Sequence, residues 1–168
     1  MESRLFMHNE QLRVENFMRR IPSQKSTVKT KPATPELEVR ILRARLMLEE
    51  CMETISALGV QVGVIGKERS SPVVGFRDFE FQEDYGALNI VEIADGLADQ
   101  LVVILGTAVS CGIDIEPVFQ EVMDNNFLKL ENGTVDSFGK LIKPVGHPAP
   151  DVLGVLQRLT CGIEVPSE

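Results

Sequence analysis

Two groups of carboxylates carry the chemical interest of this sequence. The stretch "RLMLEECMETI" contains Glu49, Glu50 and Glu53, and "VEIADGLADQLVVILGTAVSC" contains Glu92, Asp95 and Asp99. On a helix Glu50 and Glu53 share a face, and Glu49 lies one turn from Glu53, so all three can converge on one point. Glu92, Asp95 and Asp99 fall at i, i+3 and i+7 on a single stripe, and the segment from Leu101 to Cys111 that follows holds no charged side chain. A helix apolar all round is a buried one. Acids on or beside it face a desolvation cost of roughly several kcal/mol each unless neutralised, paired or bound to a cation. Arg40, Arg43 and Arg45 lie early in the first acidic segment, and no Lys or Arg occurs between Arg77 and Lys129, too few bases for six acids. A divalent metal site answers the shortage.

Carboxylate ligation selects hard cations such as Mg²⁺ or Mn²⁺. Zinc is disfavoured because the two histidines, His8 and His147, stand far apart in the chain. A carboxylate-bridged di-iron bundle needs Glu-x-x-His pairs, and neither acidic segment contains a histidine. Glu-x-x-Glu by itself is common on solvated helix faces; the apolar company of Leu46, Met47, Leu48, Cys51, Met52 and Ile55 is what sets this one apart.

The elements that must position these acids follow from periodicity and capping. "HNEQLRVENFMRR" is a short amphipathic helix over His8–Arg20. "IPSQKSTVKTKPATP", with three prolines and Lys25, Lys29 and Lys31, reads as an extended linker. Thr34 as cap and Pro35 at the first helical position start a long helix, Pro35–Leu58, stopped by Gly59. "VQVGVIG" and "SPVVGFRDFEFQ", separated by "KERSS", suggest a short hairpin. A second long helix covers Leu88–Cys111 and ends at Gly112; Asp114 caps a third, "IEPVFQEVMDNNFLKL", closed near Gly133. "GKLIKPVGHPAPD" is a loop before a final helix, "DVLGVLQRLTC". The expectation is an all-α bundle of about five helices with a possible hairpin insert between the two long ones, divided into an N-terminal helix and linker (1–34) and a catalytic helical region (35–168).

The 168 residues carry a net charge of −8 and no basic stripe, which argues against a nucleic-acid partner. Cys51, Cys111 and Cys161 lie in apolar periodic segments without Cys-x-x-Cys spacing, as reduced core cysteines do. The start lacks the plan of a signal peptide, and the longest apolar run is short of the roughly 20 residues that span a bilayer, so a cytoplasmic protein without a membrane partner is expected.

Two carboxylate-bearing helices joined by a variable loop, followed by "GIDIEPVFQEVMDNNFLKL" and "GKLIKPVGHPAPDV", resemble the all-α nucleoside triphosphate pyrophosphohydrolases, the MazG-like and phosphoribosyl-ATP pyrophosphohydrolase superfamily. The resemblance covers roughly Glu36 to Leu159. It implies an oligomer, a homodimer or homotetramer, of helical subunits that binds Mg²⁺ or Mn²⁺ and cleaves a nucleotide to its monophosphate and pyrophosphate. Glu50 and Glu53 match the family's first metal pair, and Glu49 an adjoining acid available for water activation. Glu92 and Asp95 fit the usual Glu-x-x-Asp spacing, but counting back from the Gly-Ile-Asp cap makes Asp99 the match to the family aspartate and leaves Gly96 where its glutamate should be. Asp95 or Glu92 then stands in. Asn126 and Lys129 match substrate contacts, Lys143 a lysine that reaches phosphate, and Lys140 is a weaker candidate. His147 has no matched role and is expected to be a loop residue.

The resemblance also frames the substrate. The phage-encoded MazG-like enzymes include ones acting on dGTP, which the compact form and altered second motif favour slightly, with a host-cytoplasmic setting if this chain is phage-encoded. dUTP hydrolysis, phosphoribosyl-ATP hydrolysis and a non-catalytic helical oligomerisation module are the alternatives.

Overall fold

A computed structural model of the chain describes residues 6–64, 79–84, 86, 88–131, 133–137 and 139–161. Five helices dominate: α1 Phe6–Arg20, α2 Leu37–Ala57, α3 Ile90–Cys111, α4 Ile115–Leu130 and α5 Val152–Cys161. Strands β1 Val60–Val64 and β2 Phe79–Glu83 pair antiparallel with Val62 opposite Phe81, and two-residue strands β3 Thr134–Val135 and β4 Leu141–Ile142 form a second antiparallel pair. The mostly helical architecture with a small hairpin between the two long helices is the all-α, MazG-like fold expected. The expected "KERSS" connection and residues 72–78 lie outside the described part.

The chain forms two compact units, Glu36–Ile104 and a second made of Met1–Pro35 with Leu105–Glu168. In the first unit, α2 begins two residues later than the sequence suggests. Glu36, in an extended conformation, occupies the cap position without a side-chain cap bond, and Thr34 takes no part. The cause lies upstream, because the Ala33 amide donates to the Cys111 carbonyl at 2.9 Å and holds the approach to α2 extended. At its other end α2 stops at Gly59, whose φ of +72° is costly for any side chain and whose surroundings are tight: a Cβ there would meet the Asp84 carbonyl and Leu88 at 3.2 Å. That glycine lets β1 turn back at once, with the Asp84 amide bonded to the Gly59 carbonyl at 2.7 Å. Asn89 opens α3, its side-chain oxygen accepting from the Val91 amide at 3.0 Å.

The second unit holds the apolar core. Val14 and Met18 of α1 pack with Leu105 and Val109 of α3, joined by Met7, Val28 and Ile115. Met18 is only 2% exposed, a burial that stabilises by about 1.5–3 kcal/mol. The linker differs from the structureless extended segment expected. It contains a 3-10 turn, Lys25–Thr27, buries Thr27, and donates the Lys29 and Ala33 amides to the Val109 and Cys111 carbonyls. The last carbonyls of any helix lack intrahelical donors, and here the linker supplies two of them. Gly112, at φ +65°, completes that end, with the Lys31 carbonyl packed so closely that no side chain fits. Asp114 caps α4 as expected, accepting from the Glu116 amide at 3.3 Å.

One expectation is only half met. Within the charge-free run of α3, Val103, Leu105, Ala108 and Val109 are buried, but Leu101, Val102 and Ile104 remain exposed, Leu101 by 53%. Among the described residues no single helix is long and apolar enough to cross a membrane.

Candidate active site

All six candidate acids lie in the unit Glu36–Ile104, Glu49, Glu50 and Glu53 on α2 and Glu92, Asp95 and Asp99 on α3. The two helices run in opposite directions past each other: the Asn89 amide bonds the Ala57 carbonyl at 3.0 Å, while Thr54 meets both Gly96 and Gln100. That antiparallel register carries Glu50 towards Asp99.

Electrostatics marks the convergence. Glu50, half-buried, has its carboxyl pKa raised above the ordinary 4.5, first by partial loss of solvent and then by the charges of Asp99, Glu53, Glu49 and Asp95. Acids from both helices therefore act on one side chain. Glu92, a turn earlier than Asp95, is not among them. Glu49, Glu53, Asp95 and Asp99 are themselves exposed.

Among the described residues, no three His, Cys, Asp or Glu side chains stand in a geometry able to hold a metal ion. The donor set nonetheless suits one class of ion. It is all carboxylate oxygen, mutually repelling, and turned to solvent on its outer side, the environment that hard divalent cations neutralise.

Gly96 owes its place to packing. A Cβ at position 96 would lie 2.5 Å from Thr54 Oγ1, 3.3 Å from Thr54 Cβ and 3.4 Å from its Cα. Thr54, 3% exposed, donates its hydroxyl to the Glu50 carbonyl at 2.8 Å and accepts the Gln100 amide at 2.6 Å. A glutamate side chain has no room where this chain has glycine. Thr54 and Gln100 are the residues that sequence reasoning missed. The signal was available, since an isolated glycine inside a strong helical pattern often marks a close approach of backbones.

The basic candidates belong to the other unit. Asn126 and Lys129 on α4 are joined directly, the Lys129 ammonium donating to the Asn126 side-chain oxygen. Lys143 is exposed just after β4, and Lys140 is exposed in the β3–β4 turn. The segment Gly139–Asp151 is expected to be an irregular loop, yet β4 near its start pairs with β3, and Asn125 fixes its end. Asn125, 5% exposed, donates to the Pro148 carbonyl at 3.1 Å, and its side-chain oxygen lies 3.2 Å from His147 Nε2. His147 is thus a loop residue, as expected, but an anchored one. Asn125 could have been found as the polar member of the stripe Val118, Val122, Asn125.

A helical framework whose two long helices bring acids together, with a lysine-bearing helix and loop, is that of the all-α pyrophosphohydrolases. A family model described as phosphoribosyl-ATP pyrophosphohydrolase matches residues 14–126, about two thirds of the chain. The chain belongs to that family and is a nucleotide pyrophosphohydrolase, a hydrolase acting on acid anhydrides. No curated protein matches it. The matched span starts within α1, takes in all six acids and ends at Asn126, so Lys129 and Lys143 lie beyond it.

Proposed function

We propose that this protein is a Mg²⁺- or Mn²⁺-dependent (deoxy)nucleoside triphosphate pyrophosphohydrolase that releases the nucleoside monophosphate and pyrophosphate, with dGTP or GTP as its preferred substrate. The observation that carries the reading is the convergence on Glu50 of acids from two helices in a chain of the pyrophosphohydrolase family. Phosphoribosyl-ATP hydrolysis is the second reading, favoured by the description of the family itself.

In this account Glu50, Glu53, Asp95 and Asp99 hold the cation. Asp95 takes the place of the glutamate missing at Gly96, a choice supported by its charge acting on Glu50, with Glu92 one turn earlier as the alternative. A bound divalent ion supplies neutralisation of the phosphates and a water acidified to near neutral pH. Glu49 or Glu50 accepts the proton of the attacking water; partial burial and neighbouring acids raise Glu50 towards the working range of a general base. Asn126 orients Lys129, and Lys129 and Lys143 meet the negative charge that grows on the departing pyrophosphate. An acidic protein can hold a polyanion only where cations and a few lysines reverse the local field, which reconciles the net charge with the substrate.

The exposed faces of Leu97, Leu101, Val102 and Ile104 on α3 and of Leu48 and Met52 on α2 support a homodimer or homotetramer, since apolar surface of this extent calls for a partner and a second copy is always present. In this reading residues 1–34 are the N-terminal helix and linker, and 35–168 the catalytic region. Chromatography of the products from a panel of nucleoside triphosphates and phosphoribosyl-ATP, with Mg²⁺ or Mn²⁺, tests the reading. Fastest turnover of dGTP is expected, and fastest turnover of phosphoribosyl-ATP would transfer the conclusion to the second reading.

A further inference from the structure

Within the unit Glu36–Ile104, α2 and α3 approach closely where Thr54 faces Gly96. Three features fix that point. The missing Cβ at Gly96 lets Thr54 approach until its Oγ1 stands 2.5 Å from where that Cβ would be. The Thr54 hydroxyl donates back to the Glu50 carbonyl at 2.8 Å, which locks its rotamer, and its remaining acceptor capacity takes the Gln100 Nε2 amide at 2.6 Å. The bond from Gln100 is a tie between the two acidic helices that is specific in direction and length, set one helical turn beyond the glycine.

The candidate ligands surround this contact. Glu50 and Glu53 stand four residues and one residue before Thr54; Asp95 stands one residue before Gly96, and Asp99 one before Gln100. We propose that Thr54, Gly96 and Gln100 form a clasp that sets the separation and axial register of the two acidic segments, making Thr54 and Gln100 positioning residues for divalent-cation binding. The inference rests on the metal reading above. Its physical basis is tolerance. A slip of one turn would displace one set of acids by about 5.4 Å against the other, and a methyl at position 96 would push the helices apart by on the order of 1 Å to restore ordinary contact. Oxygen ligands of a small divalent ion sit at about 2.0–2.1 Å with little latitude. The glycine also costs helix stability against alanine, so a close approach is what it provides in return.

The test is a titration of the full-length protein with Mn²⁺ alone, following unbound Mn²⁺ by electron paramagnetic resonance, with melting temperature measured in parallel without metal. Gly96→Ala should weaken Mn²⁺ binding by about 10-fold or more, the range for losing partners that orient ligands. Adding Thr54→Ala removes the clashing Oγ1, and the double variant should return to within about threefold of Thr54→Ala alone, a rescue that a merely destabilising substitution would not show. Gln100→Leu, of similar size, should weaken binding by about 10-fold with little change in melting temperature, and it carries the test if Gly96→Ala does not fold. Wild-type affinity in both Gly96→Ala and Gln100→Leu would overturn the clasp. Failure of the wild type to bind Mn²⁺ at all would overturn the metal reading and the clasp with it, so the two failures are distinguishable.

Discussion

Thr54 Oγ1 stands 2.5 Å from the point a Cβ on Gly96 would occupy, and the same oxygen accepts the Gln100 amide. Gly96→Glu, which would add the acid that the resemblance expects at this position, should therefore harm the protein. Forcing side-chain atoms into a close contact costs about 1–3 kcal/mol, and a carboxylate added beside Asp95 and Asp99 brings further repulsion. A lower melting temperature with no gain in turnover is expected; a variant as stable as wild type and more active would show that position 96 has room for a ligand.

A second prediction concerns pH. Because partial burial and then Asp99, Glu53, Glu49 and Asp95 raise the Glu50 pKa, folded chains hold that proton more tightly than unfolded ones. The stability this contributes is fully present below the ordinary value of 4.5 and is lost as pH rises through the raised folded value. Without metal, Glu50→Gln should then melt higher than wild type at pH 7, with the advantage shrinking towards pH 4, while turnover falls by about 100-fold or more as a general base and ligand is lost. Urea or thermal melts across pH 4–8 in a chelator check this, and a pH-independent difference would contradict it.

Asn125 gives the third. Buried on α4 and bonded to Pro148 and His147, it anchors the end of the segment that carries Lys143. Asn125→Leu leaves the Pro148 carbonyl without that donor and should cost about 1–3 kcal/mol. If Lys143 meets phosphate, KM should rise several-fold more than kcat falls. An unchanged KM in the folded variant would remove Lys143 from the site.

How far the sequence foretold this structure depends on the range of the interactions. Helices α1 to α5 and their stops at Gly59 and Gly112 were legible because periodicity, caps and left-handed glycines are local signals. The start of α2 was misplaced by two residues because Thr34 and Pro35 make a good local cap, whereas the deciding bond, Ala33 to Cys111, joins residues remote in sequence. The order within the linker is hidden from the sequence for the same reason, since the bonds from Lys29 and Ala33 reach the far end of α3. The acids could be found from their spacing, and Gly96 stood out as a glycine inside a strong helical pattern. Its cause could not, since it lies in the side chain of Thr54 on another helix. The half-exposed run of α3 shows a further limit, because a uniformly apolar segment does not say which of its sides the fold of this chain covers.

That exposure supplies the fourth prediction. Sedimentation of the wild type should give a dimer or tetramer, and Leu101→Glu, placing a charge on the exposed apolar face of α3, should shift it to smaller species. A wild type that sediments as a monomer at micromolar concentration would contradict the proposed assembly.

The most direct test of the central claim is phosphorus NMR of the products formed from dGTP with Mn²⁺ by the wild type and by Glu53→Gln. The account predicts the monophosphate and pyrophosphate in equal amounts from the wild type, and a folded Glu53→Gln protein that forms neither. Inorganic phosphate as the product, full activity in Glu53→Gln, or a wild type inert towards dGTP and every other nucleotide tried would contradict it.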